Sequence, residues 1–210
     1  MTDTPLSPPK NVVFDIGNVV LRWDPPNLYR RVFNGDEEKV DYFLTHICTP
    51  EWNTEQDRGR SWKDGTELLV REYPEWEAPI RAYYDHWWDM LTGPIPETAP
   101  LVDELADNGI PVYAVTNFTA HAFHDCQKKW AFLNRFLGVV ISSDEKLVKP
   151  DPAIFQVFLT RYHLAAKDCL FIDDTRPNID TAAKLGMATI HNVPGETDLR
   201  LALRTLGYPV

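Results

Sequence analysis

Several chemically capable residues in this chain stand directly behind short apolar runs. Asp15 follows Asn11-Val-Val-Phe, Thr116 and Asn117 follow Pro111-Val-Tyr-Ala-Val, and Ser142 and Ser143 follow Leu137-Gly-Val-Val-Ile. Asp173 and Asp174 follow Cys169-Leu-Phe-Ile, and Lys149 lies a few residues beyond the serine pair. Brought together, three carboxylates make a hard oxygen site of the kind Mg²⁺ prefers, with its remaining positions left to water and substrate oxygens. A hydroxyl, an amide and an ammonium can bind a phosphate from the other side. A carboxylate kept ionised by a cation is also a nucleophile toward phosphorus, and the lysine would stabilise charge on the transferring group.

Convergence of residues up to 159 positions apart requires a particular fold. The apolar runs do not alternate, as expected of strands buried on both faces of a parallel sheet. Helical patterns separate them, at about 98–108, 120–136, 153–163 and 178–185, and a short strand at 188–191 and a helix at 198–205 complete the series. The expected fold is α/β, a Rossmann-like parallel sheet whose ligand crevice lies beyond the carboxyl ends of its strands. Residues 21–95 break this alternation. They carry helical spacing at 37–46, 62–72 and 76–91 and six of the seven tryptophans, and read as a helical cap inserted after the first strand. The core is then 1–20 with 96–210. Asp24-Pro25-Pro26 and Gly93-Pro94-Ile95-Pro96 are expected to be hinge connections.

Composition narrows the function classes. With 21 basic and 31 acidic residues the formal charge is −10, and no basic run offsets it, so nucleic acid and anionic membranes are not the expected partners. No apolar stretch approaches the ~18 residues of a membrane span, and the polar, proline-rich start does not resemble a signal peptide. The expectation is a cytoplasmic protein, a monomer or homodimer. Cys48, Cys126 and Cys169 are widely spaced and form no metal clamp. Motifs for a nucleotide cradle, a dinucleotide fold or a serine hydrolase are missing.

Four segments in order carry a resemblance: Phe14-Asp-Ile-Gly-Asn-Val19, Val115-Thr-Asn117, Val148-Lys-Pro-Asp-Pro-Ala-Ile-Phe155, and Phe171-Ile-Asp-Asp174 continuing through Asn178 to Leu185-Gly186. Over about Asn11 to Thr189 the chain resembles the haloacid dehalogenase-like hydrolases, with the insert where that superfamily carries a helical type-1 cap. The Asp-x-Gly-Asn-Val run is similar to that of sugar-1-phosphate phosphatases. The resemblance implies a nucleophilic Asp15, phosphate contacts from Thr116 and Asn117, and a charge-neutralising Lys149. Mg²⁺ would be held by Asp15, the Gly17 carbonyl and Asp174, with Asp173 as a direct or water-mediated ligand. The implied substrate is a small phosphate monoester, with Asn18 and Arg58 as further candidate contacts.

One departure matters. Phosphatases of this superfamily usually have a second aspartate two places after the nucleophile, and here that place is Gly17, which cannot transfer a proton. Asp24, Glu55 and Asp57 are the candidate replacements. Three readings follow: a Mg²⁺-dependent phosphatase, a metal-free 2-haloacid dehalogenase using the same nucleophile, and a weakly catalytic binding or regulatory protein. The adjacent Asp173-Asp174 pair favours the first, because without a metal these carboxylates repel one another. Plainer roles compete at single positions. Thr116 and Asn117 suit a helix cap, Lys149 a solvated loop with Lys146 as its competitor, and Arg58 a surface pair with Glu55 or Asp57. His121 and His124 are spaced as a metal pair that has no third ligand. The cap tryptophans suit a core better than a substrate platform.

Overall fold

A computed structural model describes residues 8–210; the polar start read from the sequence lies largely outside the described residues. The strands are β1 (Asn11–Phe14), β2 (Leu21–Trp23), β3 (Leu91–Pro94), β4 (Val112–Thr116), β5 (Gly138–Ile141), β6 (Cys169–Asp173) and β7 (Ala188–His191). Five form a sheet in the order β5-β4-β1-β6-β7, every pair parallel. The register sets Phe14 beside Ala114 on one side and Ile172 on the other, so the carboxyl ends of β1, β4 and β6 lie together. β1 is buried at all four positions, which is why it is apolar without alternation.

The helices are α1 (Pro25–Val32), α2 (Glu37–His46), α3 (Pro50–Asp57), α4 (Trp62–Glu72) and α5 (Glu77–Asp85) between β2 and β3, then α6 (Ala99–Asp107), α7 (Ala120–Lys129), α8 (Ser142–Glu145), α9 (Pro152–Arg161), α10 (Arg176–Lys184) and α11 (Leu199–Thr205). Helices cover both faces of the sheet. Phe155 and Phe158 of α9 and Ile179 of α10 pack on Val13, Val115 and Phe171. On the opposite face Val12, Phe14 and Ala114 join a cluster that continues through Leu101, Phe123 and Leu199 into Tyr29, Phe43 and Tyr83 of the insert. Insert and sheet therefore share one apolar core.

The structure corrects several boundaries. Neither proline segment is a free hinge: Pro25 opens α1, where a missing N–H costs nothing, and Gly93-Pro94 belongs to β3, paired antiparallel with β2. The 120–136 helix stops at Lys129, and a 3-10 turn takes up 131–135. The insert also holds two helices beyond those expected, α1 and α3. Side-chain caps start three of its five helices, α2, α3 and α4, with Asp36, Thr49 and Ser61 accepting from Lys39, Trp52 and Asp64 N–H. Among the described residues no helix is long and apolar enough to cross a membrane.

Candidate active site

The site begins where β1 ends. The Asp15 N–H continues the ladder to the Ile172 carbonyl at 2.8 Å, fixing the residue at the rim of the sheet. Asp15 Oδ1 accepts from its neighbour's N–H (Ile16, 2.7 Å) and from Lys149 Nζ at 2.8 Å. Oδ2 takes neither bond. One oxygen is thus locked and the other left for chemistry.

Lys149 also donates to Asp173 Oδ2 at 2.7 Å, and it is fully buried between the two carboxylates. Asp173 is saturated: Oδ1 accepts from Thr175 N at 2.7 Å, and both oxygens lie 3.0 Å from Asn178 Nδ2. Asn178 thereby organises this loop. Asn117 grips the lysine from the other side, Oδ1 accepting from Lys149 N at 2.8 Å while Nδ2 donates to Lys149 O at 3.1 Å. That two-pronged hold occupies the amide for which a phosphate contact or, more plainly, a helix cap was expected; α7 has Thr119 at its N-cap position with no side-chain bond, and Ser143 Oγ accepts from Ala120 N.

Oxygens of Asp15, Asp173 and Asp174 lie within 4.8 Å of one another. Burial raises the Asp15 carboxyl, the Lys149 ammonium pulls it back and Asp173 pushes again, leaving it at about 7. Asp174 is raised by burial and by Asp173. Burial opposes the Lys149 charge most, yet Asp15 and Asp173 together hold the ammonium above the ordinary lysine range. Carboxylates outnumber the single cation here, so the donor set fits a hard divalent ion such as Mg²⁺. The fully buried Thr116 hydroxyl has no hydrogen-bond partner among the described residues, as suits a group reserved for a ligand oxygen.

A cleft of about 210 Å³ opens over these groups. Asp15, Gly17, Asn18, Lys149 and Asp174 form its floor, and Asn53, Asp57, Trp62 and Trp87 of the insert its roof. Asn18 adopts a left-handed backbone (φ 54°), and its Oδ1 accepts from Trp23 N at 3.0 Å, shaping the loop that leads into β2. Gly17 lines the floor, and a Cβ added there would meet nothing within 4 Å, so the absent aspartate is not a matter of space.

Of the three candidate acids, only Asp57 lines this cleft. Burial and the charge of Asp15 push it up to about 7. Its Oδ2 accepts from Asn53 Nδ2 at 3.1 Å. Ser142, expected as a site residue, instead ties the insert to the core: its Oγ donates to the Asp57 carbonyl at 2.6 Å and accepts from Phe118 N at 2.9 Å. Asp24 lines a separate depression. Glu55 pairs with Arg58 at 3.5 Å, both about half exposed, and Arg58 is not among the cleft residues, so the expected substrate contact gives way to the surface pair. Lys146 caps α8 and is displaced from the carboxylates by Lys149. His121 packs edge-on against Trp62 at 4.2 Å. Trp62, Trp87, Phe118 and Thr119 also line the cleft; the sequence does not single them out, because tryptophans at helical spacing read as core and a lone phenylalanine and threonine in a loop carry no chemical signature.

A parallel α/β sheet with a carboxylate at the end of β1, a buried lysine and an acidic pair after β6 defines a class of hydrolase. The family model for haloacid dehalogenase-like hydrolases matches residues 9–186, and the chain belongs to that family. It is 30% identical over 183 residues to the sesquiterpene phosphatase astK of Aspergillus oryzae, covering 87% of this chain and 89% of that protein. It is 28% identical over 147 residues, 68% of this chain, to acyl-CoA dehydrogenase family member 10 of Mus musculus, of which it spans only 13%. The crystal structure of the family enzyme bt-2542 from Bacteroides thetaiotaomicron, in complex with magnesium and inorganic phosphate, superposes with a TM-score of 0.66 at 21% identity, covering 91% of this chain and 98% of that one.

Proposed function

We propose that this hydrolase cleaves small phosphate monoesters with Mg²⁺ through an aspartyl-phosphate on Asp15. The observation that carries the reading is the division of labour on one carboxylate that lies beside the acidic pair: Oδ1 is held by Ile16 N–H and Lys149, while Oδ2 takes neither bond. Asp15, the Gly17 carbonyl and Asp174 would hold Mg²⁺, with the saturated Asp173 behind them orienting Lys149. When bound, the ion supplies charge neutralisation between the nucleophile and the phosphate oxygens.

Oδ2 of Asp15 attacks phosphorus, an Asp–O–P bond forms and the ester P–O bond breaks. The leaving alkoxide takes the Asp57 proton. In the second half Asp57, now a carboxylate, accepts a proton from the water that attacks phosphorus, and Asp15 and inorganic phosphate are released. A pKa of about 7 suits Asp57 to both directions of transfer. Thr116 and Lys149 contact the phosphoryl oxygens, and Asn117 holds the lysine's backbone in place. The phosphatase name of the Aspergillus relative supports this reading. The acidic pair disfavours metal-free attack on a haloacid, because unscreened carboxylates would oppose an incoming carboxylate substrate.

The test is phosphate release from 4-nitrophenyl phosphate and halide release from 2-chloropropionate, each with Mg²⁺ or with a chelator. Chelator-sensitive phosphate release that disappears in Asp15→Asn is expected. Chelator-insensitive halide release would assign the dehalogenase reaction instead, and activity with neither substrate would leave the binding-protein reading.

A further inference from the structure

Beyond the phosphate-binding floor, the cleft is walled by Trp23, Trp62, Trp87, Leu91 and Phe118. The rings form a connected set, with Trp87 centred 5.7 Å from Trp23, 5.8 Å from Trp62 and 5.8 Å from Phe118. Trp62 is braced from behind by Tyr84, stacked at 4.3 Å, and by His121. These walls come from four separate stretches of chain, the β2 ribbon, α4, the turn before β3 and the loop after β4, so they are not one helix's buried stripe. They meet at the place where an ester's alcohol portion must lie if its phosphate sits on Asp15.

The polar groups nearby are largely committed. Asn53 serves Asp57 and accepts from the Tyr84 hydroxyl at 3.4 Å, Asn117 spends both ends on Lys149, and Asn178 Nδ2 is bound to Asp173. The lining contains no cation except Lys149, which already faces two carboxylates, whereas Asp57 adds an acid to the roof. A polyol leaving group would therefore lose water and find few partners, chiefly Asn18 Nδ2 and the Thr119 hydroxyl, at about tenfold or more in affinity for each stranded hydroxyl. A second anionic group on the substrate would find no counter-charge in the lining. An aromatic wall also suits the C–H face of a sugar, but a sugar needs hydrogen-bond partners around its rim as well. At roughly 15 Å³ per water-sized position, 210 Å³ holds about fourteen such positions, enough for a phosphate and a short carbon skeleton.

Building on the phosphatase reading, we infer that the aromatic wall is a leaving-group subsite for an uncharged, apolar alcohol, so that the preferred substrates are phosphate monoesters of aryl-alkyl or short hydrocarbon alcohols. The test compares kcat/KM for four primary alkyl esters with Mg²⁺: methyl, 2-phenylethyl and octyl phosphate, and glucose 6-phosphate. Phosphoglycolate serves as the doubly anionic competitor. The 2-phenylethyl or octyl ester is expected to exceed glucose 6-phosphate and phosphoglycolate by at least about tenfold. Trp62→Ala should lower kcat/KM for 2-phenylethyl phosphate about tenfold more than for methyl phosphate, a ratio within one variant that loss of folded protein does not change. Glucose 6-phosphate or phosphoglycolate matching the apolar esters, or Trp62→Ala reducing methyl and 2-phenylethyl phosphate equally, would overturn this inference alone. Hydrolysis of no ester at all would overturn the phosphatase reading and this inference with it.

Discussion

Replacing Lys149 with methionine tests the electrostatic frame of the site. The ammonium sits between Asp15 Oδ1 at 2.8 Å and Asp173 Oδ2 at 2.7 Å, and the lysine and Asp173 side chains are essentially without solvent contact. Methionine keeps the bulk and removes the charge. Removing one partner of a buried pair typically costs about 3–5 kcal/mol, because the remaining charge is stranded. The cost here falls near the lower end. Asp173 keeps its bonds from Thr175 and Asn178, and Asp15, already at about 7, can take up a proton. We expect a loss of about 3 kcal/mol in urea denaturation at pH 7.5 and a smaller loss at pH 5, where protonation relieves the repulsion. Added Mg²⁺ should recover more stability in Lys149→Met than in the wild type, since the variant has more unscreened negative charge. Hydrolysis should fall about 10²–10³-fold, as for other lost transition-state donors. An unchanged urea midpoint together with unchanged turnover would refute the reasoning.

Further outcomes follow from the same geometry. Because Asp57 is raised to about 7, its folded state favours the protonated form, and the wild type loses stability as pH climbs from the ordinary carboxyl range through 7. The thermal midpoint of Asp57→Asn relative to wild type should therefore grow between pH 4 and 7 and level off above, while kcat for an alkyl phosphate falls about 10²-fold or more; a flat stability difference would contradict the assignment. Position 17 has open space and a backbone that accepts a side chain, so Gly17→Asp introduced into Asp57→Asn should restore part of the lost turnover, measured by phosphate release. Asn117→Ala removes both bonds to the buried Lys149 backbone and is expected to destabilise by about 1–3 kcal/mol in urea denaturation and to cut kcat about tenfold. Gly59 has φ 107°, and a Cβ there would approach the Ser143 carbonyl to 3.0 Å; Gly59→Ala should destabilise by about 1–2 kcal/mol in urea denaturation.

What could be read in advance was the part governed by local rules. Parallel strands buried on both faces must be apolar, so β1, β4, β5 and β6 stood out, and the residues just past them belong at the crevice because the topology leaves them no other place. That reasoning placed Asp15, Lys149, Asp173 and Asp174 together. It was less informative for Asn117 and Ser142, whose side chains each suit several partners. Asn117 holds Lys149 and Ser142 anchors Asp57, and such pairings depend on three-dimensional neighbours 32 and 85 residues away. The insert was harder still. Pro25 reads as a hinge although proline is well tolerated in a helix's first turn, which hides α1, and α3 likewise begins at a proline. Choosing among Asp24, Glu55 and Asp57 required knowing which way the end of α3 faces. The tryptophans divide between core and cleft on geometry that spacing does not encode.

The most direct measurement is to trap the covalent state. Protein mixed with a ³²P-labelled alkyl phosphate and Mg²⁺, quenched in acid within one turnover and digested, should carry acid-stable, alkali-labile label on the peptide that contains Asp15. The label should be absent with chelator and in Asp15→Asn, and Asp57→Asn should change its lifetime. Full phosphate release with no labelled peptide, or label on a peptide lacking Asp15, would contradict nucleophilic attack by this carboxylate.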